Sequence, residues 1–170
     1  MTEGTGPAKD IEDLRGARLT GDTRHELLAT QTECTFCFTD ADGAPAAVVL
    51  SFVWDTDRYW FTSVAGRVHV RAVERDPRVC VTISGTGTAL AGRRMLSEQG
   101  RATIHHDPAA LADKLELLAA RLAPGNVDGF LRLLRSPRRL LIEVIPEKVV
   151  ASHDSRRLPG DGRGGPGSAH

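Results

Sequence analysis

Gly66, Arg67 and Arg71 form the grouping in this chain best suited to chemistry, and the chemistry is phosphate binding. They open a short helix-forming run. A helix N-terminus presents free N–H groups and the positive end of the helix dipole, both of which suit an anion. Glycine allows the backbone to approach a ligand closely. Arginines four apart share a helix face, so two guanidinium forks can converge on phosphate oxygens. The same pair would also make an ordinary solvated helix face, and taken alone the residues leave both readings open.

Other reactive side chains point to less. Cys34-Thr-Phe-Cys37 has the spacing of a metal or redox pair, but no second Cys or His pair of matching spacing exists to complete a zinc site. The pair lies in a run that reads as a strand, where positions three apart face opposite ways, so buried structural thiols are expected and a metal site is not. His105 and His106 are adjacent at a strand end and diverge for the same reason. No Gly-x-Ser-x-Gly elbow occurs, which argues against a hydrolase of that type.

The elements that must position these groups are mostly strands. Thr23 with Glu26 three residues on reads as a capping box opening a short helix. Glu33–Thr39, Ala46–Trp54 and Arg58–Ser63 read as three strands of an antiparallel meander, joined through Asp42-Gly43 and Asp55-Thr-Asp57. A helix from about Val68 to Arg75 follows, with Val68, Ala72 and Val73 facing inward, and Asp76-Pro77 stops it. Strands come next at Arg78–Ser84 and Arg93–His105, with Gly100 as a bulge or point of close approach. Asp107-Pro108 begins a helix striped by Leu111, Leu115, Leu118 and Leu122. A shorter helix runs from Asn126 to Leu134. Arg139–Ile145 is the last strand, with Leu141, Glu143 and Ile145 on one face and Leu140, Ile142 and Val144 on the other. Strands that do not alternate with helices predict a mainly β fold, a six-stranded antiparallel split barrel with appended helices.

The 170 residues suit one domain at 23–155, with a flexible arm at 1–22 and a disordered Gly/Pro-rich tail at 156–170. Basic and acidic side chains balance at 22 each, so neither a nucleic acid nor a membrane partner is expected. Apolar runs such as Ala46 to Leu50 are too short to span a bilayer, and the N-terminal residues lack a signal-type apolar segment. A cytoplasmic protein is expected.

Four stretches, in order and spacing, resemble the pyridoxamine-phosphate-oxidase-like split barrels, a superfamily of flavin and deazaflavin oxidoreductases. They are Asp42-Gly-Ala-Pro-Ala-Ala-Val-Val-Leu-Ser-Phe-Val-Trp54, the run from Phe61 through Asp76-Pro-Arg-Val79 to Cys80, Glu98-Gln-Gly-Arg-Ala-Thr-Ile104, and Arg139-Leu-Leu-Ile-Glu-Val-Ile-Pro-Glu-Lys148. The resemblance implies a homodimer binding FMN, or alternatively the deazaflavin coenzyme F-420, at the subunit interface. By position, Ala47, Val48, Val49, Leu50, Ser51 and Phe52 would line the isoalloxazine ring. Thr62 and Ser63 would offer hydroxyls near the ribityl phosphate; Gly66, Arg67, Val68 and His69 would hold that phosphate, with Arg71 close by.

The chain departs from the family pattern in one place: flavin-binding relatives commonly carry Arg-Lys where this chain has Val68-His69. Valine donates nothing, and neutral histidine is a weaker phosphate partner than lysine. Arg93 and Arg94 are candidates for the oligoglutamate tail of the deazaflavin, and His153 stands where relatives place an aromatic. Trp54 and Trp60 are expected to pack rather than stack on a cofactor. The implied activity is hydride transfer to or from a small organic substrate. In that class the cofactor carries the chemistry, and no catalytic side chain is assigned. The alternative is a protein that binds or sequesters such a cofactor without turnover. Pyridoxamine-phosphate oxidation itself would need a second phosphate clamp, and Arg156 and Arg157 in the tail match no such motif.

Overall fold

Tight turns set the register of the sheet. After β1 (Glu33–Thr39), Asp40 bends the chain by accepting the backbone N–H groups of Asp42 and Ala44 on its Oδ1, both at 2.9 Å. Gly43, at φ +82°, takes the left-handed conformation this turn requires. β2 (Pro45–Asp55) then returns antiparallel to β1, from Thr39 opposite Pro45 to Glu33 opposite Ser51. The next hairpin turns on Thr56 and Asp57, both at positive φ, the geometry that matches the natural strand twist. It leads into β3 (Arg58–Val64).

The computed structural model describes residues 14–158. Its remaining elements are α1 (Gly21–Thr30), α2 (Val68–Arg75), β4 (Arg78–Ser84), β5 (Arg94–His105), α3 (Ala112–Leu122), α4 (Val127–Leu134) and β6 (Arg139–Asp154). The six strands close into an antiparallel barrel in the order β1-β2-β3-β6-β5-β4. The expected fold class and strand count therefore hold. The arm and tail expected at the ends lie largely at 1–13 and 159–170, outside the described residues. Leu14–Ala17 and Ser155–Arg157 are short 3-10 turns that contact each other.

Strand alternation builds the core. Cys34, Phe36 and Phe38 of β1, Tyr59 and Phe61 of β3, Val79, Val81 and Ile83 of β4, and Leu140, Ile142 and Val144 of β6 fill the barrel interior. Each large apolar side chain so buried contributes about 1.5–3 kcal/mol. Leu141, on the opposite face of β6, joins Val53, Leu115, Leu118, Ala119 and Leu134 in a second cluster where α3 and α4 lie on the barrel wall. The two-faced pattern expected for the last strand is thus observed, and the strand itself runs on to Asp154. Gly100 sits at a register shift against β6, where an added Cβ would lie 2.4 Å from the Ile145 carbonyl oxygen.

Two local expectations are corrected. α1 begins at Gly21 with Thr20 as its cap, and its partner in the capping box is Thr23, not Glu26. The Glu26 carboxylate instead pairs with Arg94. In α2, Val68 is 50% exposed, while His69, Val70, Ala72 and Val73 turn inward. The helix keeps the expected span Val68–Arg75, and its buried face runs through positions 69, 70, 72 and 73, which leaves Val68 beside that face rather than in it.

Candidate functional site

The turn after β3 carries the candidate site. Val64 is the last residue of β3, and Gly66 follows at φ +86°, a conformation side-chain-bearing residues seldom adopt. The Ala65 N–H donates to the Arg138 carbonyl at 2.9 Å, which ties the turn to the chain entering β6. The guanidinium of Arg138 crosses back over the turn and donates to the Ala65 carbonyl at 2.9 Å. Arg139, the first residue of β6, pairs in register with Val64 and reaches Thr62 Oγ1 only at 3.5 Å.

Three arginines therefore meet at one turn beside the N-terminus of α2. Arg67 and Arg138 are exposed and Arg139 is half-buried. Among the described residues none of the three has a carboxylate partner, and the Nε of Arg139 is shielded from solvent without any hydrogen-bond acceptor. Burial, and then the charge of Arg67, lower the pKa of Arg139. Shielded polar atoms are ordinarily paired, so an orphaned donor among three neighbouring cations is an arrangement that an anion could complete. A phosphate group meets these requirements: it accepts from several N–H donors at once, and guanidinium forks fit its oxygens.

Not every expected phosphate contact faces this turn. Ser63 and His69 are both buried and bonded to each other, Oγ to Nε2 at 2.7 Å, with the imidazole 6.3 Å from the Phe36 ring. Burial, followed by the charge of Arg67, lowers the pKa of His69 and so favours its neutral form. Neither group is presented at the surface, because Ser63 lies on the inward face of β3 and His69 on the inward face of α2. Thr62, on the outward face, keeps a half-exposed hydroxyl, and Arg71 is exposed on α2. Val68 is also exposed, in the first turn of the helix.

The run of six residues expected to line a ring divides by strand parity. Phe52 is fully buried in the barrel, and Val48 and Leu50 pack against the same core. Ala47, Val49 and Ser51 face outward, and Val49 is 68% exposed. Only these three offer a surface to a ligand. Arg94 is corrected as well: it is 1% exposed and ion-paired to Glu26 at 2.6 Å, so it cannot reach a ligand outside the barrel. Trp54 packs on Tyr59 and under Arg24, and Trp60 is buried beneath Lys114, as expected of packing residues. His105 bonds to Glu143 at 2.9 Å while His106 lies near Glu74, so the two rings do not converge. His153 is half-buried in β6 opposite Met95.

Arg138 and Arg139 are the residues that sequence reasoning did not find. Their adjacency was visible, but their approach to Gly66 depends on the β3–β6 pairing, which joins segments about seventy residues apart.

The chain matches the family described as pyridoxamine 5'-phosphate oxidase over residues 21–153, and it belongs to that family. Among solved structures it is similar to conserved hypothetical protein Rv2991 from Mycobacterium tuberculosis, with a TM-score of 0.73, 18% identity and coverage of 85% of this chain and 90% of that one. It is also similar to HutZ, the heme storage protein from Vibrio cholerae, with a TM-score of 0.62, 17% identity and coverage of 79% and 93%. An F420 reductase aligns with a TM-score of 0.53, 18% identity and coverage of 74% and 94%. At these identities the likeness establishes the fold. The curated proteins contain no match to this chain.

Proposed function

We propose that this protein is a homodimeric oxidoreductase that binds a phosphorylated flavin-type cofactor, FMN or the deazaflavin F-420, on the outer wall of its barrel. The observation that carries the reading is the unpartnered, buried Nε of Arg139 beside Arg67 and Arg138 at the Gly66 turn. Arg67, Arg138 and Arg139, with Thr62 Oγ1 and the first N–H groups of α2, would hold the phosphate. Ala47, Val49 and Ser51 form an outward row without charge on which a planar ring can lie. When bound, a flavin-type ring supplies the hydride-accepting and hydride-donating chemistry.

The residues of this chain orient the cofactor and exclude water. Ser63 and His69 support the turn from beneath through their mutual bond. Val49 is a large apolar side chain left 68% exposed in the outward row, which supports a second copy covering the ring. Arg94 is withdrawn into the barrel, which removes one of two cations expected for an oligoglutamate tail and favours FMN. Among the described residues no helix is long and apolar enough to cross a membrane.

The test is a titration of the full-length protein with FMN and with F-420, followed by its visible spectrum. Binding of either in the micromolar range is expected, with reduction of an added acceptor by the loaded, reduced protein. Failure of both to bind below about millimolar, where the binding free energy is only about 4 kcal/mol, would overturn the reading. Binding without turnover would leave a cofactor-holding module in place of an enzyme.

A further inference from the structure

The thiol pair suggested by sequence spacing is not the pair the fold assembles. Cys34 points into the barrel core at 4% exposure, three positions from Cys37 on β1. Cys37 instead stands directly opposite Cys80 in the antiparallel β1–β4 ladder. The neighbours of both, Phe36 and Phe38 on one strand and Val79 and Val81 on the other, face the interior. Cys37 and Cys80 therefore share the outer face, and both are half-exposed and reduced.

Directly opposed residues of an antiparallel pair have Cα atoms about 4.5–5.5 Å apart, within the roughly 4.4–6.8 Å that a disulfide bridges. The pair is also reachable. Both cysteines line a surface hollow of about 630 Å³ together with Thr39, Arg78 and Gln99. Arg78 is held aside by Asp76, which accepts from its guanidinium at 2.7 Å. The Cys80 sulfur lies 3.3 Å from Ser97 Oγ, a polar contact that keeps it on this face. Burial, and then the proximity of Cys80, raise the pKa of Cys37, which slows the reaction at neutral pH and leaves the geometry unchanged.

We propose that Cys37 and Cys80 are a redox modification site, closing to a reversible disulfide across β1 and β4 in exchange with a low-molecular-weight disulfide. The thiolate of one cysteine attacks a sulfur of the reagent, forming a mixed disulfide and releasing one small thiol. The thiolate of the other then attacks the protein sulfur of that mixed disulfide, releasing the second small thiol. Two electrons pass from the protein to the reagent, and the two thiol protons end on the released thiols. Cys34, closed off in the core, takes no part.

The experiment treats the full-length protein with oxidised glutathione and maps it under non-reducing conditions after tryptic digestion. Cleavage at Arg58 and Arg78 separates Cys80 from Cys37 but leaves Cys34 on the Cys37 peptide, so fragmentation of the linked pair between positions 34 and 37 assigns the bonded sulfur. The expected product is a Cys37–Cys80 peptide pair with Cys34 free, forming faster as pH rises and lost on reduction with dithiothreitol. Cys80→Ser should stop at glutathionylated Cys37. Linkage through Cys34, glutathione adducts that never resolve in the wild-type protein, or thiols that do not react would each overturn the proposal. The wild-type map decides the matter even if a serine variant folds poorly, and its outcome does not depend on whether a cofactor binds.

Discussion

Replacing Arg139 by methionine should stabilise the protein without ligand and at the same time weaken its grip on a phosphate. Arg139 Nε is shielded and has no acceptor, and a buried donor left unsatisfied costs about 1–3 kcal/mol. Methionine keeps an apolar stem of similar length for packing and removes that donor. The one bond lost, to Thr62 Oγ1, is long at 3.5 Å and offsets little. A net gain of about 1–2 kcal/mol remains, which for a domain of this size raises Tm by about 2–8 °C. In the complex the sign reverses. A hydrogen bond to a charged group contributes about 1.5–3 kcal/mol, so affinity for FMN should fall roughly 10- to 100-fold. Thermal melts of both proteins, with and without FMN, read both effects together. A variant that melts lower than wild type without ligand, or that keeps the full ligand-induced shift, would refute the reasoning.

Gly100→Ala places a Cβ 2.4 Å from the backbone oxygen of Ile145, which cannot swing away as a side chain could, so a loss of at least about 1–3 kcal/mol is expected in urea unfolding. His69 carries a folded-state pKa below its ordinary value of 6.5, so the unfolded chain binds the extra proton. The stability it contributes is therefore present above about pH 6.5 and lost as pH falls toward the folded value, and His69→Gln should flatten the wild-type slope below about pH 6.5 in melts at successively lower pH. Val68→Arg adds a cation to the exposed first turn of α2; FMN affinity should rise by up to a few-fold, about 0.2–1 kcal/mol as for an exposed ion pair, and the gain should fade in high salt.

The barrel was legible because its signals are local. Strand alternation in β1, β4 and β6, the Asp-Gly turn and the leucine stripe of α3 each follow from a few neighbouring residues. Errors arose where a single residue shifts phase. α2 keeps its expected span, but its buried stripe runs through positions 69, 70, 72 and 73, which turns Val68 outward and His69 inward. Parity likewise divides Ala47–Phe52 between two faces, a consequence that reading the run as one lining segment overlooks. What could not be read at all were meetings between distant strands: Arg139 beside Val64, and Cys37 opposite Cys80. Pairing partners are set by the closure of the whole barrel, and a cysteine or arginine carries no local mark of the strand it will face.

Comparing FMN with riboflavin, which has the same ring and no phosphate, tests most directly whether the Gly66 turn is an anion seat. Calorimetric titration should give FMN the tighter binding by roughly 10-fold or more, at least about 1.4 kcal/mol. That gap should close when Arg67 and Arg138 are replaced by alanine and Arg139 by methionine. Equal affinity for the two compounds in the wild-type protein would contradict the assignment.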